Sequence, residues 1–285
     1  MKPRRFFILP AVFFTAFSSI FIRWTSAPAL TIAFYRMLFT FGFVFPYVLF
    51  RYWEDLRSFN RKKMFLSWFS GFFLAFHFSS WIASLSMTSV AASTVLVSCS
   101  PILVTAYEIW FHKKRPTFEF FIILALALFG TILITMEGWN EPNHVTGNLL
   151  ALFGGACMAG YLLIGVKVQE DNPFWVYIVH VNGAAAFFLG SMMLLSRTSF
   201  STVDAKDLWL ILAMTVFCSL LGHTVYNWLL RYYGATTISL ATLCEPIFAS
   251  LLAFVLLQEY PTTSTLMGGG IVLLAVSRAI IKKSA

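Results

Sequence analysis

Apolar residues run along this chain in long blocks separated by short polar stretches. The blocks are Phe6 to Trp24, Ala29 to Phe50, Met64 to Met87, Ala91 to Phe111 and Phe118 to Met136. Five more follow: Gly147 to Val166, Phe174 to Leu195, Leu208 to Leu230, Thr236 to Leu257 and Thr263 to Ile281. Each holds about 20 residues, the length a helix needs to cross ~30 Å of hydrocarbon. The pattern predicts an all-α integral membrane protein with ten transmembrane helices. The connections are too short for a soluble domain. The first block is read as a span and not as a cleaved signal, because it is long and no small-residue cleavage site leads into a soluble chain.

The second half repeats cues of the first. The stretch "SCSPILVTAYEIWFHKKRPT" (98–117) aligns without a gap on "LCEPIFASLLAFVLLQEYPT" (243–262). Cys99, Pro101, Ile102, Pro116 and Thr117 then fall on Cys244, Pro246, Ile247, Pro261 and Thr262, an offset of 145. His77 lies 24 residues before Pro101, and His223 lies 23 before Pro246. Arg23 and Arg36 are 13 apart, as are Lys167 and His180. The copies are residues 1–140 and 141–285. Five spans per copy is an odd number, so the second copy enters the membrane upside down. Two five-helix inverted-topology repeats are a common plan of secondary transporters, with the binding site near the midplane between them.

Composition fits a bilayer: 59% of residues are hydrophobic and 11% charged. The net charge of +8 raises the question of nucleic acid, and its distribution argues against it. With the N-terminus in the cytoplasm and ten crossings, 16 of the 20 Lys and Arg fall on the cytoplasmic side, among them Arg61, Lys62, Lys63, Lys113, Lys114, Arg115 and Lys283. The outside loops "EGWNEPNHVT" and "QEYPTT" carry none. This is the positive-inside rule with both termini cytoplasmic, expected of a multi-pass protein of the cell (inner or plasma) membrane. Cys99, Cys157, Cys218 and Cys244 lie inside blocks without ligand spacing, so no metal, cofactor or disulfide framework is expected.

The residues resemble the EamA-type proteins of the drug/metabolite transporter superfamily over nearly the whole chain. "RWTSAPALTIAFYRML" looks like the family's basic residue ending the first span, followed by the Arg of the second. "CEPIFASLLAFVLLQEYPTTSTLMGGGIVLL" looks like its Pro, a Glu thirteen residues on and a Gly nine beyond that, here Pro246, Glu259 and Gly268. The first copy departs, with Lys114 where that Glu would stand. The resemblance implies ten helices, the first four of each half around a central cavity and the fifth and tenth outside it. Those two blocks carry small residues, such as Gly268, Gly269 and Gly270, that let helices approach closely.

Glu245 sits nine residues into the ninth block, roughly 14 Å deep at 1.5 Å per residue. A carboxylate there costs about 2.5–3.5 kcal/mol on insertion scales and usually faces a water-filled cavity. The bland alternative is a structural pairing with His223 or Arg36. Arg36, about eight residues into the second block, is read either as a substrate contact or as a partner for Glu245 or for freed carbonyls. His77 and His223 are read as hydrogen-bonded packing or, less simply, as proton carriers. Trp81, Tyr161, Tyr226 and Trp228 supply deep aromatic surface that suits an amine. Tyr226 and Trp228 are two apart, so at most one faces the cavity squarely. Trp139 is assigned to the interfacial belt. Pro101 and Pro246 free backbone carbonyls at matched depths and are hinge candidates.

The chain is therefore expected to be a secondary transporter of small organic metabolites, amino acids or amine-bearing solutes, with export as the default. Uptake or exchange of a nucleoside, sugar or cofactor precursor is the alternative. A membrane-embedded enzyme is disfavoured, because no HExxH, nucleophile elbow or paired carboxylates occur. A channel would want a ring of like charges, which two unlike halves lack. The expected partners are a small-molecule solute and the lipid bilayer; a coupling proton and a homodimer stay open, and nucleic acid is excluded.

Overall fold

The computed structural model describes residues 2–113, 117–135, 142–170, 173–200, 203–260 and 263–282. Lys114, Arg115, Lys283, Trp139 and the repeat mates Pro116, Pro261 and Thr262 lie outside the described residues. All regular elements among those described are helical. A 3-10 turn at Lys2–Phe7 leads into α1 (Ile8–Trp24), followed by α2 (Ala29–Arg51), the short α3 (Trp53–Arg57) and α4 (Arg61–Ser84). Asn60 starts α4 by accepting from the N–H groups of Lys62 and Lys63. Next come α5 (Val90–Val97), α6 (Ser100–His112), α7 (Phe118–Thr135), α8 (Pro142–Gln169) and α9 (Phe174–Leu195). The Asp204 side chain starts α10 (Ala205–Met214) by accepting from Asp207 N–H. A π-helical stretch, Thr215–His223, then joins α10 to α11 (Thr224–Thr242), and α12 (Glu245–Leu257) and α13 (Thr263–Lys282) complete the chain.

Among the described residues seven helices are long and apolar enough to cross a membrane, with Phe118–Gly130 and Glu245–Leu257 as shorter apolar helices. Part of the difference from ten lies at Gly234. The path Ala205–Thr242 counts as one helix, yet Gly234 interrupts it at φ 72° and ψ 170°. Only glycine adopts that backbone readily. The eighth and ninth blocks thus meet at one residue with no loop between them.

The fourth and ninth blocks are not single helices. Each is broken for two residues, Ser98–Cys99 between α5 and α6, and Leu243–Cys244 between α11 and α12. Pro101 and Pro246 explain both gaps. A proline lacks the N–H that would continue the ladder, and its ring collides with the carbonyl four residues back. At the first turn of a new helix neither matters, and that is where both prolines sit. The gaps are crossed by tighter bonds, Cys99 N–H to Leu96 O at 3.2 Å and Cys244 N–H to Ala241 O at 3.0 Å. At both gaps the backbone keeps a helical hand and tightens for two residues.

Helix α4 packs against α8 and α9, α2 against α9, and α1 against the π-helical stretch and α12. Close approach needs small residues. A Cβ on Gly71 would lie 2.6 Å from both Val181 O and Ala184 Cβ. Helices α7 and α13 pack chiefly on one another, where a Cβ on Gly130 would lie 2.6 Å from Gly268 O. Gly270, by contrast, faces open space. The outer wall of α4 is aromatic: Met64, Phe65, Trp68, Phe69 and Phe72 form an apolar groove with Phe188 of α9.

Candidate functional site

The two helix breaks meet at the centre. A cavity there is lined by His77 and Trp81 of α4, Val97, Ser98 and Ser100 at the first break, Met158 of α8, His223, and Thr242 and Glu245 at the second break. It encloses about 330 Å³ of non-atom space, its opening included. The free room at its centre admits about one water.

Glu245 is the first residue of α12 and is half-buried. A carboxylate at a helix N-terminus is favoured by unpaired N–H groups and by the positive end of the helix dipole. That position offsets part of the cost of holding the charge in the span. Thr15 of α1 lies beside it, and Arg36 is within electrostatic reach.

Arg36 is wholly buried. Its Nε–H donates to Ser219 Oγ at 2.8 Å, and its guanidinium carbon sits 4.3 Å from the centroid of the Phe78 ring. Nη1 and Nη2 are buried without a hydrogen-bond partner. The pairing of Arg36 with Glu245 weighed from the sequence is therefore not closed in this conformer.

His77 and His223 lie near one another with ring centroids 6.3 Å apart. His77 Nδ1 bonds the Gly154 carbonyl at 3.0 Å. A Cβ on Gly154 would lie 3.0 Å from Ser80 Oγ and 3.3 Å from His77 O, so this glycine lets α8 come close to α4. Trp81 lies parallel to His77, planes 7° apart and centroids 6.1 Å apart. Its Nε1, Ser100 Oγ and His223 Nδ1 have no partner.

The remaining aromatic candidates are not among the lining residues, though Tyr226 packs edge-on against His223 with ring centroids 5.9 Å apart. Tyr226 is buried, with its hydroxyl 3.1 Å from Thr15 Oγ1. Tyr161 accepts from Asn227 Nδ2, which also donates to His223 O at 2.8 Å. Trp228 is not at the cavity at all: it packs on Phe7 and Tyr232, with Arg4 5.7 Å from its ring centroid. The eighth block ends two residues on, at Leu230, and the helix is interrupted at Gly234, so Trp228 is close to the helix end and not deep. Ser98, Thr242, Val97 and Met158 were not singled out from the sequence. Small and apolar residues of this kind are common in every span and carry no signal of their own.

Long apolar helices closed around a buried polar cavity define a multi-pass helical membrane protein. The model of the EamA-like transporter family matches residues 5–136 and 145–280, and the chain belongs to that family. It is a membrane transporter, as the motif residues around Pro246 and Gly268 implied. Among curated proteins, an uncharacterized transporter of Archaeoglobus fulgidus is 23% identical over 68% of this chain and 68% of its own length. The uncharacterized transporter YwfM of Bacillus subtilis is 26% identical over 66% of this chain and 64% of its own, just under two thirds. A second Archaeoglobus fulgidus transporter is 23% identical over 90% of this chain and 89% of its own. A solved crystal structure shares the fold, with a TM-score of 0.78 at 13% identity, covering 98% of this chain and 96% of the other.

Proposed function

We propose that the chain is a secondary transporter that exports small organic metabolites, amino acids or other amine-bearing solutes, by alternating access across the cell membrane. The observation that carries this reading is the Glu245 carboxylate at a helix break, beside His77, Trp81 and His223, in a cavity with room for about one water. A cavity this tight has to enlarge before cargo enters, which alternating access provides.

The same reading includes ten crossings, inverted repeats over 1–140 and 141–285, and cytoplasmic termini. Support comes from the matched breaks at 98–99 and 243–244 and from the two stretches matched by the family. Arg36 and the cavity residues would bind cargo, Pro101 and Pro246 would mark the moving joints, and His77 or His223 would carry a coupling proton.

Flux of labelled amino acids in proteoliposomes tests it. The expected result is saturable flux without ATP. Flux that never saturates, or that requires ATP, would sink the proposal.

A further inference from the structure

We infer that the aromatic groove on the outer wall of α4 holds one acyl chain of an anionic phospholipid, whose phosphate is bound by Arg61 and Lys62. The groove shares no residue with the central cavity, so the lipid site is independent of what the cavity carries.

Arg61 opens α4, and Phe65, Trp68 and Phe72 follow it at i+4, i+7 and i+11. That spacing sets all four on one face of the helix. Lys62 lies one step round, in line with Phe65 and Phe69 at i+3 and i+7. Lys63 falls on the opposite side and is half-buried. The cations at the head of the groove are therefore Arg61 and Lys62, both exposed.

The groove runs along the axis of α4, from Met64 to Phe72. It encloses about 640 Å³ of non-atom space, its opening included, within the ~300–1,000 Å³ of small-molecule sites. Phe72 lies eleven residues beyond Arg61, about 16 Å at 1.5 Å per residue. One leaflet of a ~30 Å hydrocarbon core is about 15 Å deep, so a chain anchored at the surface covers the same distance. The lining rings hold one another in place. Phe72 meets Phe188 of α9 edge-on at 5.3 Å, and Trp68 lies 5.7 Å from Phe187 and 6.5 Å from Phe188.

Charge selects the headgroup. Lipid tails are as apolar as the wall, so the groove alone does not choose among lipids. Cations sit poorly at the positive end of a helix dipole, yet α4 starts with three and has no acidic residue in its first turn. The Asn60 side chain already takes the N–H groups of Lys62 and Lys63, so side chains and not the helix start hold the anion. Among the described residues neither Arg61 nor Lys62 has an ion-pair partner, although α3 carries Glu54 and Asp55. A guanidinium takes two phosphate oxygens at once, and a Lys or Arg near the surface attracts anionic lipid. A zwitterionic headgroup brings its own cation and gains less. On the proposed topology the lipid belongs to the cytoplasmic leaflet.

The test is lipid titration of the purified full chain in detergent, read by native mass spectrometry as lipids retained per chain. The probes are dioleoylphosphatidylglycerol, dioleoylphosphatidylcholine and soluble glycerol phosphate. Wild type is expected to retain one phosphatidylglycerol at least about tenfold more tightly than phosphatidylcholine, at about fivefold per cation. Glycerol phosphate, which has the anion and no chain, should not displace it. Arg61→Gln and Lys62→Gln should each weaken phosphatidylglycerol about fivefold and leave phosphatidylcholine unchanged. Phe72→Ala removes part of the wall and should weaken both lipids alike. Lys167→Gln combined with Arg231→Gln removes two exposed cations that do not head the groove, and should change neither.

Equal retention of the two lipids would overturn the inference. So would displacement by glycerol phosphate, or an equal loss in the Lys167 and Arg231 control, since each reduces the attraction to diffuse charge. Full retention of phosphatidylglycerol by Phe72→Ala would show that the groove holds no chain and would overturn it too. If neither lipid is retained, something else covers the groove and the inference falls. Thermal unfolding of each variant checks folding, and Trp68→Leu takes the place of Phe72→Ala should that variant fail to fold.

Discussion

Arg36 of α2 donates its Nε–H to Ser219 Oγ, 2.8 Å away in the π-helical stretch. The bond ties the first half of the chain to the second at the centre of the protein, and Phe78 supports the guanidinium from α4. A hydrogen bond to a charged group contributes about 1.5–3 kcal/mol. Arg36→Ala should therefore lower the melting temperature clearly, since it also leaves Glu245 without nearby positive charge. Ser219→Ala removes the bond and keeps the ring contact, so its fall should be smaller. Differential scanning fluorimetry in detergent ranks the two, and equal melting of Arg36→Ala and wild type would refute the tie.

Glu245→Gln keeps the shape of the side chain and removes its charge. Transport should fall to background, because the cavity loses its one lining carboxylate. Stability should change little, because the insertion cost that the amide removes is offset by leaving buried Arg36 without nearby negative charge. Flux and melting temperature on the same preparation separate the two effects. Normal flux from a well-folded Gln variant would return Glu245 to a structural role.

Gly222 is a packing requirement with a functional neighbour. A Cβ there would meet Thr15 Cγ2 at 2.6 Å and Thr15 N at 3.2 Å, forcing α1 away from the stretch that carries Ser219 and His223. Gly222→Ala should cost about 1–3 kcal/mol, as overpacking does, and reduce transport by shifting those two side chains. Gly42→Ala is the control, since nothing lies within 4 Å of its Cβ. It should be neutral or gain about 0.5–1 kcal/mol from helix propensity.

The long spans were legible because burial in lipid leaves a block of apolar residues that no local detail can hide; α1, α2, α4 and α9 start and stop within a few residues of their blocks. The helix breaks were half legible. Proline marks where a ladder fails, but whether the helix bends or stops depends on what receives the freed groups. The π-helical register of "TVFCSLLGH" left no trace, since its single glycine does not signal a change of register and the stretch differs from an α-helix only in which carbonyl each N–H meets. The convergence of His77 with His223 also needed the packing, since the sequence offered only their similar distances from Pro101 and Pro246. Ser219 as the partner of Arg36, and Thr242 as lining, required the packing, because a serine or threonine in a span usually bonds its own helix, as Thr242 does to Ser239 O.

Topology is open to direct labelling. Single cysteines placed at Asn143, Lys62 and Lys114, in a chain whose four native cysteines are replaced, should divide by side. An impermeant maleimide added outside whole cells should label position 143 and spare 62 and 114. Arg23 and Glu259 are 3.9 Å apart and so share one side of the membrane; on the proposed topology that side is the outside, and a cysteine at 259 should label with 143. Outside labelling at 62 would overturn the cytoplasmic placement of the basic clusters.

Pro101 and Pro246 bear on the conformational change itself. Each begins a half-helix just past a two-residue break, and the breaks border the cavity through Ser98, Ser100, Thr242 and Glu245. Alanine supplies the N–H that proline lacks and removes the ring that collides with the carbonyl four residues back. In Pro101→Ala that carbonyl is Val97 O, and in Pro246→Ala it is Thr242 O. The new bond lets the two half-helices fuse, which stiffens the span without deleting a cavity side chain. If movement at the breaks opens and closes the site, both variants should slow turnover more than they weaken binding. The two halves should also respond alike, because the breaks are repeat mates. Static breaks kept for packing give the opposite result, with wild-type rates and affinities. Affinity by calorimetry and initial flux in proteoliposomes, taken on the same protein, separate the outcomes. A large loss of affinity at unchanged maximal flux would show that the prolines shape the site and do not move it.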